Sequence, residues 1–391
     1  MLGKKICGLA VAVATLLAGC GNSASVLAPV VSGSSGGSSS GGVVTPPPVA
    51  GKVGHVFILI LENEDYNTSF GASSPAPYLS KTLPAMGQLL TQYYGTGHLS
   101  LDNYITMISG QAPSKLAQSD CQRFTDWVGP NSVDANGQAT GDGCVYPTAA
   151  KSIADQLQAA GHSWKGYMED MGLDLARDGR ATCSHPSVTT FPGTSDPTQS
   201  ATATDAYATR HNPFVYFHSV IDDQANCDAH VVALPNLVTD LQLIGTTPEY
   251  VFITPSLCHD GHDTPCVSGE PGGLASADLF LQTWVPRIVN SAAFKKDGLL
   301  IVTFDEASTS DTTACCSEPM GSTRPGITGP GGGRVGAVLV SPFIKPGTMN
   351  ATPYNHYSLL KSSENVFGLP YLGYANAPGL AAFGADVFNG P

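Results

Sequence analysis

The chain has 391 residues, 42% of them hydrophobic, so a full core can be buried in one large α/β domain or two smaller ones. Charged residues make up only 13%, and 44 glycines with 29 prolines imply many long, ordered loops. The formal net charge of −13 argues against nonspecific nucleic-acid binding, but not against a phosphate substrate, because a metal can supply positive charge locally.

In chain order, Lys4 and Lys5 precede an apolar run from Ile6 to Leu17, too short to span a bilayer as a stable helix. Residues 1–19 are therefore read as a processing segment. Leu17, Ala18, Gly19 and Cys20 resemble a bacterial lipobox, with Cys20 as the acylated first residue of an exported, lipid-anchored protein facing the periplasm or the cell surface. Residues 20–52 are rich in Ser, Gly, Pro and Val, a flexible tether without a core of its own.

The domain then runs over residues 53–391. Val56 to Leu61 is an unbroken apolar run that stops at Glu62 and Asn63, the pattern of a buried parallel strand delivering polar side chains at its C-terminal edge. Helices are expected over 85–93, 101–109, 149–160, 234–243, 274–289 and 357–367. In the helix over 274–289, Leu279, Leu281, Trp284 and Ile288 are the expected core contacts. Further strands are expected over 162–167, 250–254, 299–304 and 335–340. Strands alternating with helices predict a doubly wound, mostly parallel sheet with helices on both faces. Residues 111–147 and 170–210 are long polar insertions, and loops of that length usually line a site. Beyond Cys7 and Cys20, eight cysteines remain, an even count that favours disulfides in an exported chain. The local closures Cys121–Cys144 and Cys258–Cys266 are expected, and no CxxC pair points to zinc.

Four clusters carry candidate chemistry. The run Leu299–Phe304 ends in Asp305 and Glu306, as Val56–Leu61 ends in Glu62 and Asn63. Two strands ending in paired oxygen ligands point to one divalent metal, Ca²⁺, Mg²⁺ or Mn²⁺ rather than Zn²⁺. Ser100 stands at a helix start, where free N–H groups favour an anion and an adjacent metal would make its hydroxyl a nucleophile; on the residues alone a plain helix cap is the favoured reading. Cys258–Asp263 packs His259, Asp260, His262 and Asp263 into one loop after a strand, and imidazole there can protonate a leaving group. His211, before Asn212 and Pro213, and His356, at the start of the last helix, are weaker elements. His55, His162, His185, His218 and His230 read as structural or surface residues.

Taken together these segments are similar to the bacterial phosphoesterase family that holds acid phosphatases and nonspecific phospholipases C. Glu62 and Asn63 with Ser69, Phe70 and Gly71 resemble its Glu-Asn…Phe-Gly opening, and Thr303–Glu306 resembles its Thr-[Phe/Tyr]-Asp-Glu strand end. The resemblance runs from about Val53 to Gly373. It implies an alkaline-phosphatase-like α/β fold and metal-assisted phosphoryl transfer to a hydroxyl. By the same resemblance, Glu62, Asn63, Ser100, Asp305 and Glu306 hold the metal, Ser100 is the nucleophile and His262 or His211 protonates the leaving group. Asn63, His98, His259, Asp260 and His356 are the expected substrate-binding residues. Glu64–Asn67 stands where the family's phospholipases C typically carry Arg-Ser-Phe-Asp, which tilts the expectation to a phosphomonoesterase of the acid phosphatase type. Its substrate would be a phosphorylated small molecule or a phospholipid. A phospholipase C-type phosphodiesterase on the same site and a catalytically degenerate metal-dependent surface binding protein are the alternatives. No Cys/Ser-x-Pro-x-Arg signature surrounds Ser100, which disfavours a sulfatase.

Overall fold

A computed structural model describes residues 52–316 and 331–390. The leader, Cys20 and the tether, apart from Lys52, lie outside the described residues. One eight-stranded sheet organises the domain, its strands in the spatial order 348–350, 88–90, 337–340, 298–304, 55–61, 250–254, 164–168, 231–233. Only strand Ala337–Val340 runs antiparallel to its neighbours; all other pairings are parallel. Strand His55–Leu61 is buried along its whole length because it is flanked on both sides, by Tyr250–Thr254 and by Gly298–Phe304. That double burial explains its unbroken apolar sequence. The register pairs Leu61 with Phe304, so the next residues, Glu62 and Asp305, emerge side by side at the C-terminal edge. Leu61 O accepts from Asp305 N at 2.9 Å, which extends the ladder to that point.

Helices flank the sheet in two groups. Ser100–Ser109, Ile153–Ala160 and His356–Phe367 pack on one another, and Gly273–Asn290 packs with Ala292–Asp297. This is the doubly wound α/β arrangement expected. Ser152 and Asp155 form a reciprocal cap that starts the helix at Ile153, and Gly161 ends it at φ 82°. The helix Ser100–Ser109 is buried on every side, which places its first turn inside the protein rather than on the surface.

Three expectations need correction. Residues 85–93 are not one helix: helix Leu83–Met86 stops at Gly87, and Gln88–Leu90 is a strand. A Cβ at Gly87 would lie 2.1 Å from Leu339 O, so glycine alone allows the backbone approach that pairs 88–90 with Ala337–Leu339. The helix expected over 234–243 holds only from Asn236 to Asp240. In helix Gly273–Asn290, Leu279 is 60% exposed. The core face is instead Leu274, Ala277, Leu281, Val285 and Ile288, spaced by three and four residues.

The two insertions fold onto each other. Arg123–Phe124 pairs antiparallel with Thr194–Ser195, and Cys121–Cys144 and Cys183–Cys227 close the loops. Disulfides also join Cys258 to Cys266 and Cys315 to Cys316, so both expected closures are present. Within the second insertion, buried Arg177 donates to Asp178 and Asp205 at 2.8 Å each and to Tyr207 O at 2.6 Å. Replacing it by Met leaves two acids buried and unpaired. Arg177→Met is expected to cost about 3–5 kcal/mol of stability, read from the urea midpoint; a loss under about 1 kcal/mol would mean the insertion tolerates the unpaired acids.

Candidate functional site

Glu62 is the hub of the site. Its Oε2 accepts from Ser100 Oγ at 2.7 Å and its Oε1 from Tyr104 OH at 2.6 Å. Both donors come from one helix, four residues apart and therefore on one face. Glu62 N donates to Asp260 O at 2.8 Å, which ties the 258–266 loop to the strand end. His211 lies between the two acids, Nε2 3.4 Å from Glu62 Oε1 and Nδ1 3.3 Å from Asp260 Oδ2. Its ring stacks on Tyr104 at 5.2 Å. Burial, then the Arg210 and His262 charges, hold His211 well below the ordinary imidazole range, so it is neutral. A neutral ring carries one N–H, and its other nitrogen turns a lone pair towards a carboxylate.

On the other flank, Asn63 N donates to Asp305 Oδ1 at 3.1 Å, and Asn63 Nδ2 donates to Glu306 Oε1 at 3.1 Å. Asn63 takes a left-handed φ of 55°, which swings its backbone N–H onto Asp305. Leu99, at φ 80°, likewise gives its N–H to both Glu306 oxygens, at 3.1 and 3.2 Å. For a leucine that conformation is strained, and its place is one residue before Ser100. Asn103 holds the turn that leads there, accepting from Thr96 N and Gly97 N and donating to Leu99 O.

The electrostatics are one-sided. Burial first, then Asp305 and Asp260, push Glu62 well above the usual carboxylate range. Burial raises Asp305 to about 6 and Asp260 to about 8. Glu306 is also raised well above its usual range, by burial and then by Asp305. Meanwhile Asn63 Oδ1, Asp305 Oδ2 and Asp260 Oδ2 are buried acceptors that receive no hydrogen bond from the protein. Buried acceptors left unsatisfied beside acids that resist ionisation are the surroundings of a cation. Glu62, His211 and Asp260 can each direct one ligand atom to a common point, all within 4.8 Å of one another. The donor set is oxygen-rich with one imidazole, which fits a divalent metal.

Of the residues expected at the site, Glu62, Asn63, Ser100, Asp305, Glu306, His211 and Asp260 come together here. Glu306 is committed to Asn63, Leu99 and His98. His98 has both ring nitrogens engaged, on Glu306 and on Asp311 O. His356 is likewise held between Tyr93 OH and Asp305 O. Both are buried braces for the acids in this structure. His262 sits at the exposed rim, its backbone N on Asp260 Oδ1 at 2.7 Å and its ring on Asp263 at 2.8 Å. The Asp263 bond raises its pKa. His259 stands apart, its ring between Glu169 and Glu270 at 3.0 Å each. The Glu169 bond foremost raises it to about 9. Sequence reasoning assigned nothing to Tyr104, Asp120 or Arg210. Tyr104 could have been found from its spacing of four after Ser100; Asp120 and Arg210 carry no local signal.

The chain is 26% identical over 320 residues to a "Probable acid phosphatase" of Kluyveromyces lactis, covering 81% of this chain and 59% of that one. It is 27% identical over 310 residues to a "Phosphate-repressible acid phosphatase" of Penicillium chrysogenum, covering 78% and 58%. The chain thus spans a little under three fifths of the length of these fungal relatives. A "Phosphatidylinositol-3-phosphatase" of Mycobacterium tuberculosis is 25% identical over 333 residues, covering 85% of this chain and 83% of that one. Among solved structures, a protein in the alkaline phosphatase superfamily from Vibrio parahaemolyticus aligns over 83% of this chain and 69% of its own, at 14% identity and a TM-score of 0.43. The family model for the Phosphoesterase family matches residues 76–370, most of the chain, and the chain belongs to that family.

Proposed function

We propose that this chain is a metal-assisted phosphoric ester hydrolase that acts on phosphate monoesters, as an acid phosphatase, through a phosphoserine at Ser100. The observation that carries this reading is the Ser100 hydroxyl, in the first turn of a buried helix, bonded to Glu62 beside acceptors that receive no hydrogen bond from the protein. The relatives named as acid phosphatases and as a phosphatidylinositol phosphatase support it.

Glu62, Asp305, Asn63, Asp260 and His211 are the residues that would hold a divalent cation, which would supply positive charge to offset the acids and to favour ionisation of the Ser100 hydroxyl. The chain's own residues do the rest. Glu62 Oε2 orients Ser100 Oγ and is the acceptor within reach of its proton. Tyr104 fixes the other Glu62 oxygen, so the carboxylate cannot rotate away. Glu306 holds the Asn63 amide through Nδ2, and Asn63 Oδ1 is left buried with no hydrogen bond of its own. The bond from Ser100 Oγ to phosphorus forms as the ester P–O bond breaks, and protonated His262 at the rim gives its proton to the departing oxygen. Water then cleaves the phosphoserine and gives its proton to His262, while Ser100 Oγ takes back the proton that Glu62 received as the Oγ–P bond breaks. Upstream of this domain, acylated Cys20 and the residue 20–52 tether would keep the site near an envelope membrane.

The test is turnover of p-nitrophenyl phosphate and of p-nitrophenyl phosphorylcholine by the wild-type domain, with and without chelator. Monoester turnover that disappears on chelation and returns with added metal is the expected result. Turnover mainly of the phosphorylcholine diester would make the protein a phospholipase C-type enzyme on the same residues. Turnover of neither, with Ca²⁺, Mg²⁺ and Mn²⁺ supplied, would leave a metal-dependent binding protein.

A further inference from the structure

The two insertions meet in front of the Ser100 helix and bring a carboxylate to a place an anion would take. Asp120 Oδ1 accepts from Leu101 N, in the first turn of that helix, at 3.0 Å. Its Oδ2 lies 4.0 Å from Nε of Arg210, a side chain only 4% exposed. Gln199, from the second insertion, clasps both: its Nε2 donates to Asp120 O at 3.0 Å, and its O accepts from Arg210 Nη1 at 3.1 Å. Asp120 is in turn next to Cys121, which is bonded to Cys144. Arg210 is within electrostatic reach of His211, Asp260 and His262, the residues around the proposed reaction centre.

A first-turn amide and a buried guanidinium are two groups that a phosphate oxyanion uses. In this structure both face Asp120 instead. We propose that Asp120 is a resident anion that competes with phosphate for Leu101 N–H and Arg210, and so sets the affinity of the site for anionic substrate and for inorganic phosphate. The proposal rests on the hydrolase reading above for the location of the phosphate. Whether Asp120 swings away or stays beside the bound phosphate, its charge opposes binding, and Arg210 is the cation both anions share. Weak phosphate binding has a use in such an enzyme: it limits inhibition by the product.

The test measures binding of inorganic phosphate to the metal-loaded protein by calorimetry. It also measures KM for p-nitrophenyl phosphate and Ki for phosphate, in wild type, Asp120→Asn and Arg210→Met. Asparagine keeps an oxygen for Leu101 N–H and removes the charge. The expected result is phosphate Kd, Ki and KM each lower by about tenfold in Asp120→Asn, and each higher by about tenfold or more in Arg210→Met. An unchanged or weaker phosphate affinity in a folded Asp120→Asn protein overturns the proposal and makes Asp120 a helix cap. If Asp120→Asn does not fold, Asp120→Ser, which also keeps an acceptor, decides in the same way. Ester turnover without a shift in phosphate Kd would sink this inference alone. A shift in Kd without any ester turnover would sink the hydrolase reading and leave the competing anion in place.

Discussion

Ser100→Ala is expected to lower kcat on p-nitrophenyl phosphate by on the order of 10³-fold or more, with the protein still folded. The hydroxyl stands in the first turn of the buried helix and donates to Glu62 at 2.7 Å. Removing it leaves the Tyr104 bond to Glu62 intact and takes away a single small donor from the cluster. The melting temperature should therefore move little, and the loss should fall on turnover rather than on KM. In a rapid-quench experiment wild type should carry acid-stable phosphate on Ser100 and the variant none. A variant that keeps kcat within about tenfold of wild type would mean that water attacks phosphorus directly and that Ser100 only caps its helix.

The second large effect is on stability and depends on pH. Without metal, the folded protein holds Asp305 at about 6 and Asp260 at about 8, with Glu62 also raised, foremost through burial. A carboxyl raised on folding binds its proton more tightly in the folded than in the unfolded chain. Its contribution is therefore complete below the unfolded value near 4 and is lost as pH rises through the folded value. The metal-free protein should lose stability steadily from about pH 4 to about pH 8. Asp305→Asn removes one of these charges. The metal-free variant should consequently outlast metal-free wild type at pH 8 in urea, while binding metal on the order of 10²-fold more weakly. A variant less stable than wild type at pH 8 without metal would show that Asp305 is satisfied as an ionised group by the protein alone.

The parts of the site that could be read from the chain are those set by strand ends. Val56–Leu61 and Leu299–Phe304 are apolar throughout because each strand is paired and covered, and the parallel register then forces Glu62 beside Asp305. The start of the helix at Ser100 and the crowded 258–263 loop were legible for the same reason: each directly follows a break in hydrophobic pattern. The hydrogen bonds of His98, His356 and Glu306 were not, because they join residues more than fifty positions apart, such as His98 with Glu306 and His356 with Asp305. Arg210 and Asp120 come from separate insertions whose meeting depends on tertiary folding. Strands 88–90, 231–233 and 348–350 are three residues long, too short to show an alternation of their own.

Whether the buried acids hold a divalent cation beside Ser100 is decided by a thermal melt combined with metal content. Wild type would be stripped with chelator, then melted at pH 5 and pH 8, alone and with Ca²⁺, Mg²⁺ or Mn²⁺, and the reloaded protein assayed for bound metal. About one ion should be bound per chain. The melting temperature should rise by about 5 °C at a hundredfold excess over Kd, with a larger gain at pH 8, where fewer of the acids hold a proton than at pH 5. No bound metal, with the same melt with and without cations at both pH values, would contradict a cation site among these acids.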